Sequence, residues 1–107
     1  MTTTDTLQAR WRLLAERLQA PDGTRPLMMP KYYYSGRSDE LEPSEPHLET
    51  LFEAAWKCGI MMFVATTPIG YALRVKAHAG DRGVTREGAD LQNLPLDATN
   101  AVLEVLG

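Results

Sequence analysis

Apolar side chains recur at helical spacing from the start of the chain. Leu7, Trp11, Leu14 and Leu18 stand four, three and four residues apart, a single stripe that predicts an amphipathic helix over residues 6–20. Thr4 or Thr6 is placed to cap its start, and Pro21, Asp22 and Gly23 stop it. The next apolar block, LMMPKYYY at residues 27–34, is aromatic and extended in character. Pro26 and Pro30 exclude both a helix interior and an unbroken central strand, so an irregular edge strand is expected. SGRSDELEPSEP, residues 35–46, then has the glycine, serine, aspartate and proline content of a loop.

A second helix is predicted over residues 46–58. Leu48, Leu51, Phe52 and Ala55 share one face, with Trp56 and Cys58 at its margins and Glu49, Thr50, Glu53 and Lys57 pointing away. Ser44 is the expected N-cap, Pro46 fits the first turn, and Gly59 ends the helix. IMMFVA, residues 60–65, is apolar without interruption, the pattern of a strand buried on both faces. After a TTPIG turn, YALRVKAH alternates: Tyr71, Leu73, Val75 and Ala77 on one face, Ala72, Arg74, Lys76 and His78 on the other. This is the clearest hairpin in the chain, and AGDRGVTREG adds a short third strand around Val84.

ADLQNLPL reads as coil pinned by Leu91, Leu94 and Leu96, and a last helix is predicted from an Asp97 cap to residue 106. Its apolar residues cover more than half its circumference, so it is either sandwiched in a core or docked on a partner. The order is α-β-α-β-β-α. That predicts an α+β fold in which a small, mostly antiparallel sheet carries helices on one face. A parallel pairing of the first two strands would require a right-handed crossover.

Composition changes this picture little. A chain of 107 residues, 44% hydrophobic and 23% charged, is expected to form one ordered domain over residues 1–107. Its single cysteine, Cys58, has no internal partner, which points to a reducing compartment. The first residues, MTTTDTLQARWRLL, lack the basic start and apolar block of a signal peptide. The run IMMFVA falls far short of the ~20 residues a membrane helix needs. A cytoplasmic chain with no membrane partner is therefore expected.

Charge is more informative in its distribution than in its total of −3. Between residues 37 and 53, Arg37 alone faces Asp39, Glu40, Glu42, Glu45, Glu49 and Glu53, whereas residues 54–86 are basic. Catalytic chemistry finds no support: His47, His78 and Cys58 stand apart from one another and from any metal-ligand spacing. GDRGVTREG, residues 80–88, could wrap an anion but lacks the lysine and the following helix of a phosphate loop, and a hairpin turn explains it. No enzyme activity, cofactor or metal is expected.

What remains is an interaction surface. Tyr32, Tyr33 and Tyr34 with Arg37 supply aromatic area beside Asp39, Glu40, Glu42, Glu49 and Glu53, and tyrosine is enriched where proteins meet. The sequence thus predicts a small non-enzymatic binding module, an adaptor, regulator or inhibitor, that engages a protein with a basic surface, such as one in a nucleic-acid-handling complex. Two alternatives stand beside it. Arg74, Lys76 and His78 on one strand face, joined to Tyr32 and Tyr34, would make a platform for a single nucleic-acid strand, although the overall acidity disfavours it. A homodimer through Val102, Leu103 and Leu106 of the last helix, or through an open sheet edge, would explain that helix's excess of apolar residues.

Overall fold

The computed structural model of the protein describes residues 3–33, 36–78 and 82–107. Its order is α1 (Thr3–Arg17), β1 (Met28–Tyr33), β2 (Gly36–Pro43), α2 (Leu48–Lys57), β3 (Ile60–Thr67), β4 (Gly70–Ala77), β5 (Gly83–Gly88), a 3-10 turn (Leu91–Asn93) and α3 (Leu94–Leu106). The fold is α+β. Its strands form two separate antiparallel sheets, β1-β2 and β3-β4-β5, so no parallel crossover links the first strand to the later ones.

The core grows from the inner face of β4. Tyr71, Leu73 and Val75 are buried there, and α3 lies across them with Ala98, Ala101, Val102 and Val105 buried. α3 also touches α1, α2 and β5. That central position accounts for its apolar circumference, and it corrects the dimer surface: Val102 and Leu103 are buried within the chain and Leu106 is half-buried. α1 brings Trp11, Leu14, Ala15 and Leu18 to the same core. Arg10 Nε donates to Asn100 Oδ1 at 2.7 Å, tying α1 to α3 along their polar border.

Helix boundaries moved where side-chain chemistry found other uses. α3 begins three residues before Asp97, because Pro95 is tolerated in a first turn and Asp90 accepts from Gln92 N at 2.9 Å to cap the 3-10 turn leading into it. Asp97 is inside the helix and receives the hydroxyl of Tyr71. α1 starts at Thr3, so Thr4 and Thr6 lie within it, and it ends at Arg17. The chain then turns through Asp22, which accepts from Thr24 N (2.9 Å) and Thr24 Oγ1 (2.6 Å); these bonds hold the Asp22 carboxyl below its ordinary pKa.

α2 takes His47, not Ser44, as its N-cap residue, with no side-chain cap bond. Ser44 instead prolongs the β1-β2 pairing, its N–H donating to Leu27 O at 2.8 Å. Its Oγ is buried and has no partner among the described residues. A buried hydroxyl without a partner costs about 1–3 kcal/mol, whereas losing a true cap would cost about 0.5–2 kcal/mol. Ser44→Ala should therefore leave stability unchanged or raise it in a urea titration; a clear loss would restore the capping role.

The two largest differences from sequence expectation concern strands. Residues 36–43, expected as loop, form β2. Charge and proline are tolerated there because β2 belongs to a two-stranded sheet and its main chain need not be shielded on both sides. The pairing slips between Pro30 and Tyr32, where Pro30 offers no N–H. β3, expected to be buried on both faces, is an edge strand with one open face, and its exposure rises from Ile60 to Thr67. A continuous apolar run does not reveal which face a helix will cover.

Candidate interaction surface

α3 lies on the inner side of the β3-β4-β5 sheet with α1 packed against it and α2 against β3, and no described helix covers the outer face. Antiparallel register places Met61 opposite Lys76, Phe63 opposite Arg74 and Ala65 opposite Ala72 on that face. β5 continues it with Thr85 opposite Arg74 and Glu87 opposite Ala72. Strand alternation, fixed by burial of Tyr71, Leu73 and Val75 inside, sends Arg74 and Lys76 outward. Neither has a carboxylate partner among the described residues. Arg86, paired with Leu73 at the sheet's far margin, is engaged by Glu104 of α3.

Two aromatics complete the surface. Phe63 is 57% exposed and Trp56, at the end of α2, is 69% exposed. A groove of about 520 Å³ runs between α2 and β3, lined by Phe52, Glu53 and Trp56 on the helix and by Ile60–Phe63 on the strand. A hollow lined by Trp56, Gly59, Met61 and His78 continues it around the strand's start. Gly59, at φ +77°, ends α2 and turns the chain directly into β3, which holds Trp56 beside Met61.

The residues singled out from sequence fall into two groups that the fold keeps apart. Arg74, Lys76 and His78 lie together on β4 and its end, with Arg74 and His78 exposed and Lys76 half-buried. Tyr32 belongs to the other sheet, so no continuous sheet face joins it to Arg74. Tyr34 lies outside the described residues, as do the side chains of Tyr32, Tyr33, Arg37 and Asp39. Their backbones place Tyr32 opposite Arg37 and Tyr33 opposite Gly36 at the end of the β1-β2 hairpin. Glu40 pairs with Lys31 across that hairpin at 3.4 Å. Glu49 and Glu53 are exposed on α2.

Glu42 is half-buried and lines a second cleft, about 350 Å³, between α1 and the hairpin. Gln8, Trp11, Arg12, Lys31 and Ser44 share that cleft, whose acids and bases balance, and the buried indole N–H of Trp11 has no partner among the described residues.

Sequence inspection missed Trp56 and Phe63 as surface residues. Trp56 appeared at the margin of an apolar face and Phe63 inside an apolar run; pairing of Phe63 with Arg74 was the only available signal, and it required the register. Cys58 is half-buried, and burial, with a smaller contribution from Asp22, pushes its thiol pKa up, which suits an unreactive packing role. Among the described residues no three His, Cys, Asp or Glu side chains converge as a metal site, and no helix is long and apolar enough to cross a membrane. No protein-family model, curated protein or solved structure matches the chain.

Proposed function

We propose that the protein is a small non-enzymatic protein-binding module whose contact surface is the uncovered face of the β3-β4-β5 sheet. One observation carries this: exposed Phe63 lies directly across from Arg74 and exposed Trp56 lies beside Met61, which pairs with Lys76, and neither base has an acidic partner among the described residues. Aromatic anchors ringed by charge are the composition of a protein interface. Arg74 and Lys76 favour a partner that brings acids to that part of the face, beside Glu87 at its β5 margin and Glu53 in the groove. The acids of β2 belong to the other sheet, which supports the converse reading of a basic partner engaged near Tyr32–Tyr34, whereas Glu53 of α2 lines the groove beside Trp56.

Affinity capture from the native host separates the two sectors. A tagged chain, its Arg74→Glu/Lys76→Glu variant and its Asp39→Asn/Glu40→Gln/Glu42→Gln variant are compared, and the captured partner is then titrated in purified form. The charge-reversed variant should bind at least tenfold more weakly at low salt, because close charge pairs across an interface are coupled by about 1.5 kcal/mol or more. The acid-neutralised variant should bind as the parent does. Loss confined to the acid-neutralised variant, with slower association and a flatter salt dependence, moves the interface to the hairpin. Retention by both sinks the sheet-face reading.

A second reading has its own observation: Phe63 stands directly across from Arg74, as stacking of a base and neutralisation of its phosphate would require. Fluorescence polarisation with labelled oligo-thymidine at about 50 mM salt tests it. Binding that weakens in Arg74→Ala and Lys76→Ala supports a nucleic-acid strand on this face, and no binding removes it.

A further inference from the structure

We infer that β3 pairs edge to edge with β3 of a second copy of this chain, about a two-fold axis at Val64, joining the two outer sheets into one. The inference goes beyond the proposed function: the pairing draws Trp56 and Phe63 into the dimer and so competes with a partner for them, and sedimentation of the chain alone tests it apart from that partner.

The main-chain alternation comes first. His78 N–H donates to Gly59 O at 2.7 Å, which fixes the ladder of the β3-β4 pair. The residues that exchange hydrogen bonds with β4 are then Met61, Phe63, Ala65 and Thr67, opposite Lys76, Arg74, Ala72 and Gly70. The N–H and C=O groups of Met62, Val64 and Thr66 consequently point away from the sheet. Among the described residues no other strand pairs with β3. Along Ile60–Phe63 a groove of about 520 Å³ separates this strand from α2.

Natural sheets protect such edges with charge, proline, bulges or brevity. β3 has none of these: IMMFVATT is eight residues long, uncharged and free of proline, and its register with β4 is uninterrupted. An edge of this kind is a template for another strand. Its chemistry also selects which strand. The main-chain groups of Met62, Val64 and Thr66 face the edge and are spaced symmetrically about Val64, so an antiparallel copy meets them with matching N–H and C=O groups.

Side chains fit the same register. On the inner face Met62 lies opposite Thr66 of the second copy, and Val64 opposite its own equivalent. On the outer face Phe63 lies opposite Ala65 of the second copy, a large ring over a small side chain, and the relation repeats across the axis. Continuing outward sets Pro68 opposite Ile60, which carries the turn tip Ile69, 85% exposed, toward the hollow lined by Trp56, Gly59, Met61 and His78. Ile69, Trp56 and Phe63 are the most exposed large apolar side chains described, and one symmetric pairing covers all three. No like charges meet between the paired strands, since β3 has no charge.

Sedimentation velocity of the full chain over about 1 to 100 µM, a span that brackets typical weak self-association, should show the 11.9 kDa species converting to one of twice that mass. Ala65→Lys puts a charge opposite Phe63 at the edge and should raise the midpoint concentration at least tenfold. Thr85→Lys, an exposed position on the same outer face but on β5, should leave it unchanged. In a Cys58→Ser background, a mixture of Phe63→Cys and Ala65→Cys chains should cross-link on mild oxidation, because the two positions oppose each other at a non-hydrogen-bonded pair, about 4.5 Å apart between Cα atoms; neither variant alone should. A monomer throughout the range overturns the inference. So does open-ended association, equal sensitivity to both lysines, or a dimer in which the mixed pair fails to cross-link.

Discussion

Gly88→Ala should destabilise the protein by about 2–4 kcal/mol, although Gly88 is at the end of a short outer strand and its backbone is unexceptional. Tyr71 lies directly opposite it in the β4-β5 register, only 3% exposed, with its ring laid over the place a side chain would occupy. A Cβ built on Gly88 falls inside contact distance of the ring's Cζ, Oη and Cε1. The ring is not free to swing aside, because its hydroxyl donates to Asp97 in the first turn of α3. Overpacking of this sort costs about 1–3 kcal/mol, and loss of a hydrogen bond to a carboxylate adds about 1.5–3 kcal/mol if the ring is expelled. Denaturant titration of Gly88→Ala, Tyr71→Ala and the double variant checks the argument. The double variant should be far less destabilised than the sum of the singles, since without the ring the added methyl has nothing to clash with. Additive losses, or a Gly88→Ala loss under about 0.5 kcal/mol, would show that the ring moves freely.

The same tyrosine gives the protein an alkaline limit. Burial first, and then the bond to Asp97, raise the Tyr71 pKa to about 12, against about 10 in an unfolded chain. Because the folded value is the higher one, the native state keeps a proton that the unfolded state loses. The stabilisation is complete below pH ~10 and disappears as pH rises through about 12, amounting to about 2–3 kcal/mol at most. Tyr71→Phe should lower stability at neutral pH and flatten its decline over that window.

Leu73→Ala should be the most damaging truncation on β4. Leu73 is fully buried at the middle of the central strand, between Val64 of β3 and Arg86 of β5 and beneath α3. Leucine-to-alanine changes at such sites cost about 2–5 kcal/mol, the larger values where neighbours cannot close the cavity. Here the strand is held by hydrogen bonds on both sides, so little collapse is available. In a chain of this size the loss corresponds to a fall in Tm of about 10 °C or more. Leu41→Ala, on the outer part of β2 and 53% exposed, should cost less than about 1 kcal/mol. Similar effects at the two sites would mean that the β1-β2 hairpin, not the β4-α3 contact, anchors the core.

The same contrast shows what was legible in the residues alone. The stripe Leu7, Trp11, Leu14 and Leu18, the alternation of YALRVKAH and the apolar face of the second helix each lie within one element, where period and burial are tied by local geometry. They predicted α1, β4 and α2 and the α+β class, and the inward set Tyr71, Leu73 and Val75 followed directly. Position in the fold was not legible in this way. GRSDELEP and IMMFVATT are both strands, yet one looks like a loop and the other like a buried centre strand, because composition records solvation and not pairing. Whether a strand is central or at an edge depends on which segment lies beside it.

The candidate surface was half legible for that reason. Alternation alone put Arg74, Lys76 and His78 on one side of their strand. Only the tertiary structure left that side uncovered, brought Phe63 across from Arg74, and set Trp56 beside Met61. It also took Val102 and Leu103 out of consideration as a contact surface by enclosing α3 among two helices and two strands. Local sequence thus determined which residues share a face. Packing among distant segments determined which faces meet water, because burial is a property of what a face is laid against and no single segment carries that information.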